Sequence, residues 1–356
     1  MTGVELVGAG SFLPRRAVTN ERLVRAIPGW NAERITEKTG IEERRFLWDF
    51  DEKTGRALVP PADATMYPRG NTDMCEVALR RAMARANVSG ADLDAIFLVT
   101  VSPDELNFSH DAVLLHERLG CREDATALVV DSGCGGALYL IDLAAKLIRG
   151  GGARTIAVVA STLTSAYLDR EVFTSELPGN RRINAFLSMY LFGDGAGAVI
   201  LRAGEEKLLA SNVSTLHEKL VVRRGGGAMA PPHPGRATLA DHAYIVDGPT
   251  VAETYPREMR RLVETLLLSH PEVEPARYYL HQSNRKLLEQ LVVDLKLPPD
   301  RVPVHVHRYG NTSSASTLIL LAEDLESRMV RIGSGEVILL AAVGAGVHAG
   351  GQLIRL

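Results

Sequence analysis

The stretch Val129-Val130-Asp131-Ser132-Gly133-Cys134-Gly135-Gly136 decides how this chain is read. An apolar run leads into a turn of small residues. A helical pattern over Gly136–Arg149 follows and stops at Gly150-Gly151-Gly152. A buried strand, a tight turn and a helix form the repeating unit of an α/β sheet. Cys134 falls at the junction. The start of a helix carries unpaired N–H groups and a partial positive charge, and both favour thiolate over thiol. Small neighbours leave room for a carbonyl to approach the sulfur. A free cysteine is also a small hydrophobe that packs well in a core, so its position alone assigns no chemistry.

The same alternation extends outward. Val4–Gly8, Ala95–Val101, Ala127–Asp131, Thr155–Ala160 and Gly197–Arg202 read as strands. Asp73–Ala86 and Asp111–Leu119 have helical periodicity. In the second half, Arg277–His281, Val302–His305 and Glu336–Ala342 read as strands. Thr250–His270, with a break expected near Pro256, Arg285–Leu295 and Ser314–Arg328 read as helices. The pattern predicts helices layered on a largely parallel sheet. Each half ends in a Gly/Ala-rich turn beside a strand: Phe192-Gly193-Asp194-Gly195-Ala196-Gly197-Ala198, and Val343-Gly344-Ala345-Gly346. We read this as a diverged duplication, with one half over 1–205 and the other over 206–356. Asp49–Thr72, Ser165–Leu187 and Arg223–Arg236 interrupt the alternation as long polar connections, a length usually tied to function or disorder.

Composition excludes several classes. Of 356 residues, 46% are hydrophobic and 23% charged, an ordinary globular balance. The net charge of −3 gives no global attraction to nucleic acid or to an anionic membrane. Cys75, Cys121 and Cys134 are too few for a disulfide framework and point to a reducing compartment, the cytoplasm. No apolar run reaches the roughly 18–20 residues of a membrane span. The N-terminus lacks the pattern of a signal peptide.

Two further residues share the placement of Cys134. His281 opens His281-Gln282-Ser283-Asn284 at the end of an expected strand, and Asn284 is suited to cap the next helix. Asn311 lies in Gly310-Asn311-Thr312-Ser313-Ser314 between an expected strand and a helix. Singly, each has an ordinary reading as a loop histidine or a turn asparagine. Together they fit the carboxyl ends of strands in an open α/β sheet, where ligands bind. A Cys, a His and an Asn supply a nucleophile, a proton shuttle and a hydrogen-bond donor. Gly193-Asp194-Gly195-Ala196-Gly197 runs into a strand rather than a helix, so it fails as a dinucleotide loop. His305 and His307 have no third ligand at metal-site spacing and read as structural.

These motifs resemble the ketosynthase III branch of the thiolase superfamily, the β-ketoacyl synthase III-like enzymes. Gly8-Ala9-Gly10-Ser11-Phe12-Leu13-Pro14 resembles the family's opening, and Lys38-Thr39-Gly40-Ile41-Glu42-Glu43-Arg44 its next signature. The Phe192–Ala198 string, His281-Gln282-Ser283-Asn284 and Gly310-Asn311-Thr312-Ser313-Ser314-Ala315-Ser316 match later motifs in the right order. The resemblance implies a five-layered α-β-α-β-α thiolase fold from two similar halves, and a homodimer. It implies that Cys134 takes an acyl group from a thioester. His281 and Asn311 would then stabilise the enolate formed when a malonyl-type acceptor loses carbon dioxide. The backbone N–H groups of Cys134 and Ala345 would form the oxyanion hole. No metal or other cofactor is implied.

Departures from the family bear on substrate. Arg34 stands where relatives that use coenzyme A commonly place an adenine-stacking Trp, with Trp30 four residues earlier. Lys38 stands where Arg is common. Together with Asn284, Arg285 and Lys286, these residues are expected to meet coenzyme A or an acidic acyl carrier protein. Asn107, with Glu105 nearby, occupies the place where head-to-head condensing relatives use a glutamate. The leading expectation is therefore a carbon–carbon-bond-forming ketosynthase of polyketide or unusual lipid biosynthesis. Fatty-acid initiation from a short acyl-coenzyme A, acyl transfer to a hydroxyl or amine, and a non-catalytic scaffold are the alternatives.

Overall fold

A computed structural model describes residues 2–61, 65–173, 186–218, 220–223, 244–345 and 348–356. The first half runs β1 (Gly3–Phe12), α1 (Ala32–Thr39), α2 (Asn71–Ala86), β2 (Ala95–Thr100), α3 (Asp111–Leu119), β3 (Thr126–Asp131), α4 (Gly136–Arg149), β4 (Thr155–Thr162) and β5 (Gly195–Gly204). The second runs β6 (Leu208–Thr215), α5 (Gly248–Ser269), β7 (Arg277–Leu280), α6 (Arg285–Asp294), α7 (Ser316–Glu326), β8 (Val337–Gly344) and β9 (His348–Arg355). One sheet has the order β1-β5-β4-β2-β3, the other β6-β9-β8-β7.

Every residue of β2, β4 and β8 is buried. That continuous burial requires cover on both sheet faces and explains their unbroken apolar sequence. Helices α2 and α3 cover the outer face of the first sheet, and α5 and α6 that of the second. Helices α4 and α7 lie between the sheets and touch both. A helix enclosed on all sides loses its polar face. Accordingly, α7 buries Leu318, Ile319, Leu320 and Leu321 in succession. The result is the five-layered α-β-α-β-α thiolase fold.

Three expectations need correction. The sheets are mixed rather than largely parallel. Strand β2 runs parallel to β3 and β4, and β7 parallel to β8, while β5 and β9 run antiparallel to both of their neighbours. Only residues 345–347 join β8 to β9, and a parallel return needs a crossover of about a dozen residues or more. Val302–His305 forms no strand. Pro303 lacks an N–H for a ladder, and the N–H groups of His305 and Val306 donate instead to Gln282 Oε1, at 2.9 and 3.2 Å. Helix α5 continues through Pro256 without a break. Of the three long connections, residues 62–64, 174–185 and 224–236 lie outside the described residues, as does Gly346.

Candidate active site

Strand β3 ends at Asp131 and α4 begins at Gly136, which leaves Cys134 in the turn between them. The N–H of Gly136 donates to Gly133 C=O at 2.8 Å and closes that turn. Gly344, the last residue of β8, packs directly against it. A Cβ at 344 would stand 2.4 Å from Cys134 N and 2.5 Å from Gly135 N. A Cβ at 133 would stand 3.1 Å from Ala345 N. The turn after β8 and the turn after β3 are thus pressed together, backbone on backbone. Neither the Cys134 nor the Ala345 N–H is spent on a backbone carbonyl among the described residues. Ser132 Oγ and His348 Nδ1, 2.8 Å apart, tie β9 to the same turn.

The segment 311–316 reaches both other sequence-predicted residues. Asn311 is nearly fully buried, and its Oδ1 accepts the N–H of Ser313 at 2.8 Å. Its amide nitrogen is therefore the end left to offer. Ser313 Oγ lies 3.6 Å from Cys134 Sγ, and Asn311 also hydrogen-bonds the thiol. Three residues on, Ser316 Oγ lies 2.8 Å from His281 Nδ1. His281 itself follows β7, its N–H donating to Ala341 C=O of β8 at 2.9 Å. The Tyr255 hydroxyl of α5 donates to His281 C=O at 2.7 Å, and its ring meets the imidazole edge-on with centroids 6.2 Å apart. The fold brings Cys134, His281 and Asn311 to one place. Asn311 arrives from a turn after the single-turn helix Val306–Tyr309, not from a strand.

Burial dominates the electrostatics. It pushes the Cys134 thiol up to about 11, against the opposing pull of hydrogen bonds from Ser313, its own backbone and Asn311. That direction is opposite to the one expected from the helix N-terminus alone. Burial, helped by the charge of His305, lowers His281 to about 3. The imidazole is neutral at physiological pH.

The sequence reading missed the frame that holds these loops. Arg44 is fully buried and donates to Val18 C=O, Asn20 Oδ1 and Tyr190 C=O at 3.1, 2.8 and 2.7 Å. Gly310, with φ +71°, lies against the Arg44 side chain, where a Cβ would come within 2.9 Å. The N–H of Asn311 donates to Leu191 C=O at 2.8 Å, and its C=O accepts from Gly193 at 3.1 Å. Asp194, also buried, accepts from Leu47 N–H at 2.7 Å and from Thr164 Oγ1 and Ser165 N–H, both at 3.0 Å. Three motifs read separately along the chain are therefore one packing unit. Beside it, Phe46, Leu168, Phe192, Tyr167, Ser188 and Tyr244 line a narrow cavity. Its phenols carry no sequence signal of their own.

The expected carrier-binding residues fall into one surface region. Asn284 caps α6 and donates to Lys38 C=O at the end of α1, at 3.2 Å. Arg285 packs on Gly40 and pairs with Glu289 and Glu42, at 2.7 and 3.3 Å. Lys38 pairs with Glu37 at 2.9 Å. Lys286 is exposed and forms no ion pair among the described residues. Arg34, one turn before Lys38 on α1, places its guanidinium 5.0 Å from the centre of the Trp30 ring. No group of three His, Cys, Asp or Glu among the described residues could hold a metal ion. No helix among them is long and apolar enough to cross a membrane.

A five-layered thiolase fold with a cysteine in the turn between β3 and α4 defines a class of acyl-transferring condensing enzymes. The family model for 3-oxoacyl-[acyl-carrier-protein (ACP)] synthase III matches residues 130–216, and its C-terminal counterpart matches residues 273–356. A β-ketoacyl-[acyl-carrier-protein] synthase III of Thioalkalivibrio sulfidiphilus is 32% identical over 371 aligned positions that span 100% of both chains. Another, of Alkalilimnicola ehrlichii, is 32% identical over 360 positions, again spanning 100% of both. The crystal structure of 3-oxoacyl-[acyl-carrier-protein] synthase III from Aquifex aeolicus superposes with a TM-score of 0.76 at 27% identity, covering 99% of this chain and 100% of that one. This chain belongs to the β-ketoacyl-[acyl-carrier-protein] synthase III family, and it is an acyltransferase of the ketosynthase type.

Proposed function

We propose that this chain catalyses the initiating condensation of fatty-acid synthesis, joining a short acyl group to a malonyl-type thioester. The names of its full-length relatives support this reading over the specialised polyketide or unusual lipid role that led the sequence analysis. The observation that carries it is the convergence of Cys134, Asn311 and His281 through the single segment 311–316.

In the first half-reaction Cys134 Sγ attacks the donor thioester. The carrier's thiol leaves with the proton that Cys134 gives up. The N–H groups of Cys134 and Ala345 hold the oxyanion, a role in which one donor typically contributes about 2.7–4 kcal/mol. In the second, the acceptor carbonyl accepts hydrogen bonds from His281 and from the Asn311 amide. Its carbon–carboxylate bond breaks, carbon dioxide leaves, and the electron pair becomes an enolate. That carbon attacks the acyl-cysteine, and the Cys134 thiolate departs from the 3-oxoacyl product. Arg34, Lys38, Asn284, Arg285 and Lys286 receive the carrier at the surface, with Arg34 on Trp30 as a flat platform for a nucleotide.

A second copy of the chain belongs to this picture. Strand β3 ends its sheet and, among the described residues, pairs on one side only, with Thr126, Leu128 and Asp131 exposed. Leu128 on it, and Leu143 and Leu147 on α4, the helix that follows it in the chain, are exposed apolar residues. An unpaired edge with apolar neighbours is a ready template for pairing, and we take the homodimer to form there. The free state of all three cysteines is compatible with the cytoplasm.

Intact-protein mass spectrometry tests the reading. An acyl donor should add its acyl mass at Cys134, and Cys134→Ala should not label. His281→Ala and Asn311→Ala should still acylate but decarboxylate a malonyl thioester poorly. Labelling at Cys75 or Cys121 with Cys134 unmodified would refute the assignment. A second reading, with a protein-bound donor in specialised biosynthesis, draws on Arg34 in place of the stacking Trp. The ratio of acylation rates for one acyl group on coenzyme A and on a carrier protein separates the two. A preference for coenzyme A supports initiation.

A further inference from the structure

The imidazole of His281 is almost completely buried and neutral, so it carries one N–H, and which nitrogen bears it decides what the residue does. Proton on Nδ1 leaves Nε2 as a base. Proton on Nε2 makes that nitrogen a donor. Nothing in the sequence around His281 chooses between them. The choice lies 35 residues away, on the first residue of α7.

Ser316 is wholly buried. Its Oγ accepts the N–H of Gln282 at 3.4 Å and lies 2.8 Å from His281 Nδ1. A serine hydroxyl has one hydrogen and two acceptor positions. Gln282 occupies one acceptor position, and the hydrogen has no other acceptor than Nδ1 among the hydrogen bonds of the described residues. If Nδ1 carried the proton, Ser316 would accept twice and its own buried hydrogen would be left without a partner, which is penalised.

We propose that Ser316 is the positioning residue that sets the tautomer of His281, holding the proton on Nε2 so that the imidazole acts as a hydrogen-bond donor and not as a base. Asn311 is set in the same way, because Ser313 N–H occupies its Oδ1 and leaves the amide nitrogen to donate. Two donors reached through the one segment 311–316 suit a developing enolate oxygen and do not suit proton removal from Cys134. This assignment rests on the half-reactions proposed above, but the tautomer can be measured without either.

The experiment uses the full chain labelled with 15N-histidine. Two-dimensional 15N–1H correlation at neutral pH distinguishes the tautomers through the coupling of each ring nitrogen to the ring protons, and His281→Gln assigns the signal. The native chain should show His281 with Nε2 protonated and Nδ1 bare. Ser316→Ala should populate the other tautomer, and Ser316→Thr, which keeps the hydroxyl, should restore the native one. In the same variants, decarboxylation of a malonyl thioester should fall about tenfold or more with Ala and recover with Thr. Acylation of Cys134 should lose far less. Protonated Nδ1 in the native chain overturns the proposal, and that result does not depend on any variant folding. The expected tautomers with no loss of decarboxylation in Ser316→Ala would keep the Ser316 assignment and overturn the role proposed for His281.

Discussion

Gly344→Ala isolates the contact on which the oxyanion hole depends. The added Cβ would stand 2.4 Å from Cys134 N, 2.5 Å from Gly135 N and 2.8 Å from Cys134 Cα. All three are backbone atoms, so no side chain can swing away. Ordinary contact begins near 3.4 Å, and reaching it from 2.4 Å requires the two turns to part by about 1 Å. Oxyanion donors act over about 2.7–3.1 Å. A shift of that size takes the Ala345 N–H out of range while Cys134 stays in its turn before α4. Losing one such donor costs about 10²–10³-fold in rate. Overpacking of this kind costs about 1–3 kcal/mol of stability, which a domain of this size tolerates.

The assay compares two reactions at one sulfur. Acylation by a thioester passes through a tetrahedral oxyanion, whereas alkylation by iodoacetamide does not. Gly344→Ala should slow acylation about 100-fold and alkylation only a few-fold. Gly152→Ala is the control, since its Cβ meets nothing closer than 3.6 Å. Equal slowing of both reactions would show that the substitution disturbs the thiol itself. Unchanged acylation would remove Ala345 from the oxyanion hole.

The remaining predictions concern charge. Burial holds the Cys134 thiol near 11, so its alkylation rate should keep rising with pH past 9, and a plateau below pH 8 would mean that the helix N-terminus outweighs burial. His281 is lowered to about 3 from an ordinary 6.5. The unfolded chain therefore binds the extra proton first, and this contribution to stability is complete above about pH 6.5 and lost as pH falls through that value towards 3. His281→Gln should flatten the acid limb of stability against pH, as read by denaturant unfolding, and an unchanged limb would contradict the buried neutral imidazole. Lys286→Glu should slow acylation from a carrier protein and weaken its salt dependence, because surface charge acts mainly on association. A small thioester analogue should be unaffected, and equal slowing with both donors would mean damage to the site.

Where strands and helices follow each other closely, the fold was legible from periodicity alone. Asp111–Leu119 and Gly136–Arg149 have the observed bounds because a Gly ends each pattern and local pairing suffices to stop the helix. Strand direction was not legible in that way. It depends on which neighbours pair, and the short turn after β8 reverses a strand that the βα alternation alone would leave parallel. Val302–His305 was misread because its apolar residues have strand spacing, while its N–H partners come from the Gln282 side chain. The candidate triad was legible by type and position. Its ionisation was not, since burial depends on all five layers and opposes what the local helix end suggests.

The residues that sequence reading left unassigned share one property: they act across long separations. Arg44 holds Tyr190, 146 positions away, and Cys134 meets Ser313 across 179. A buried guanidinium without its carbonyl partners would carry a desolvation penalty of several kcal/mol, and here burial lowers Arg44 to about 9 despite the nearby acids. Such a group is held only when its partners are already in place, so Arg44 commits the loop after Leu191 and the turn at Gly310 to one arrangement. Asn311 hangs from both. The geometry of the site therefore depends on a buried cation outside the candidate triad, and on distant motifs packed together rather than on any one of them.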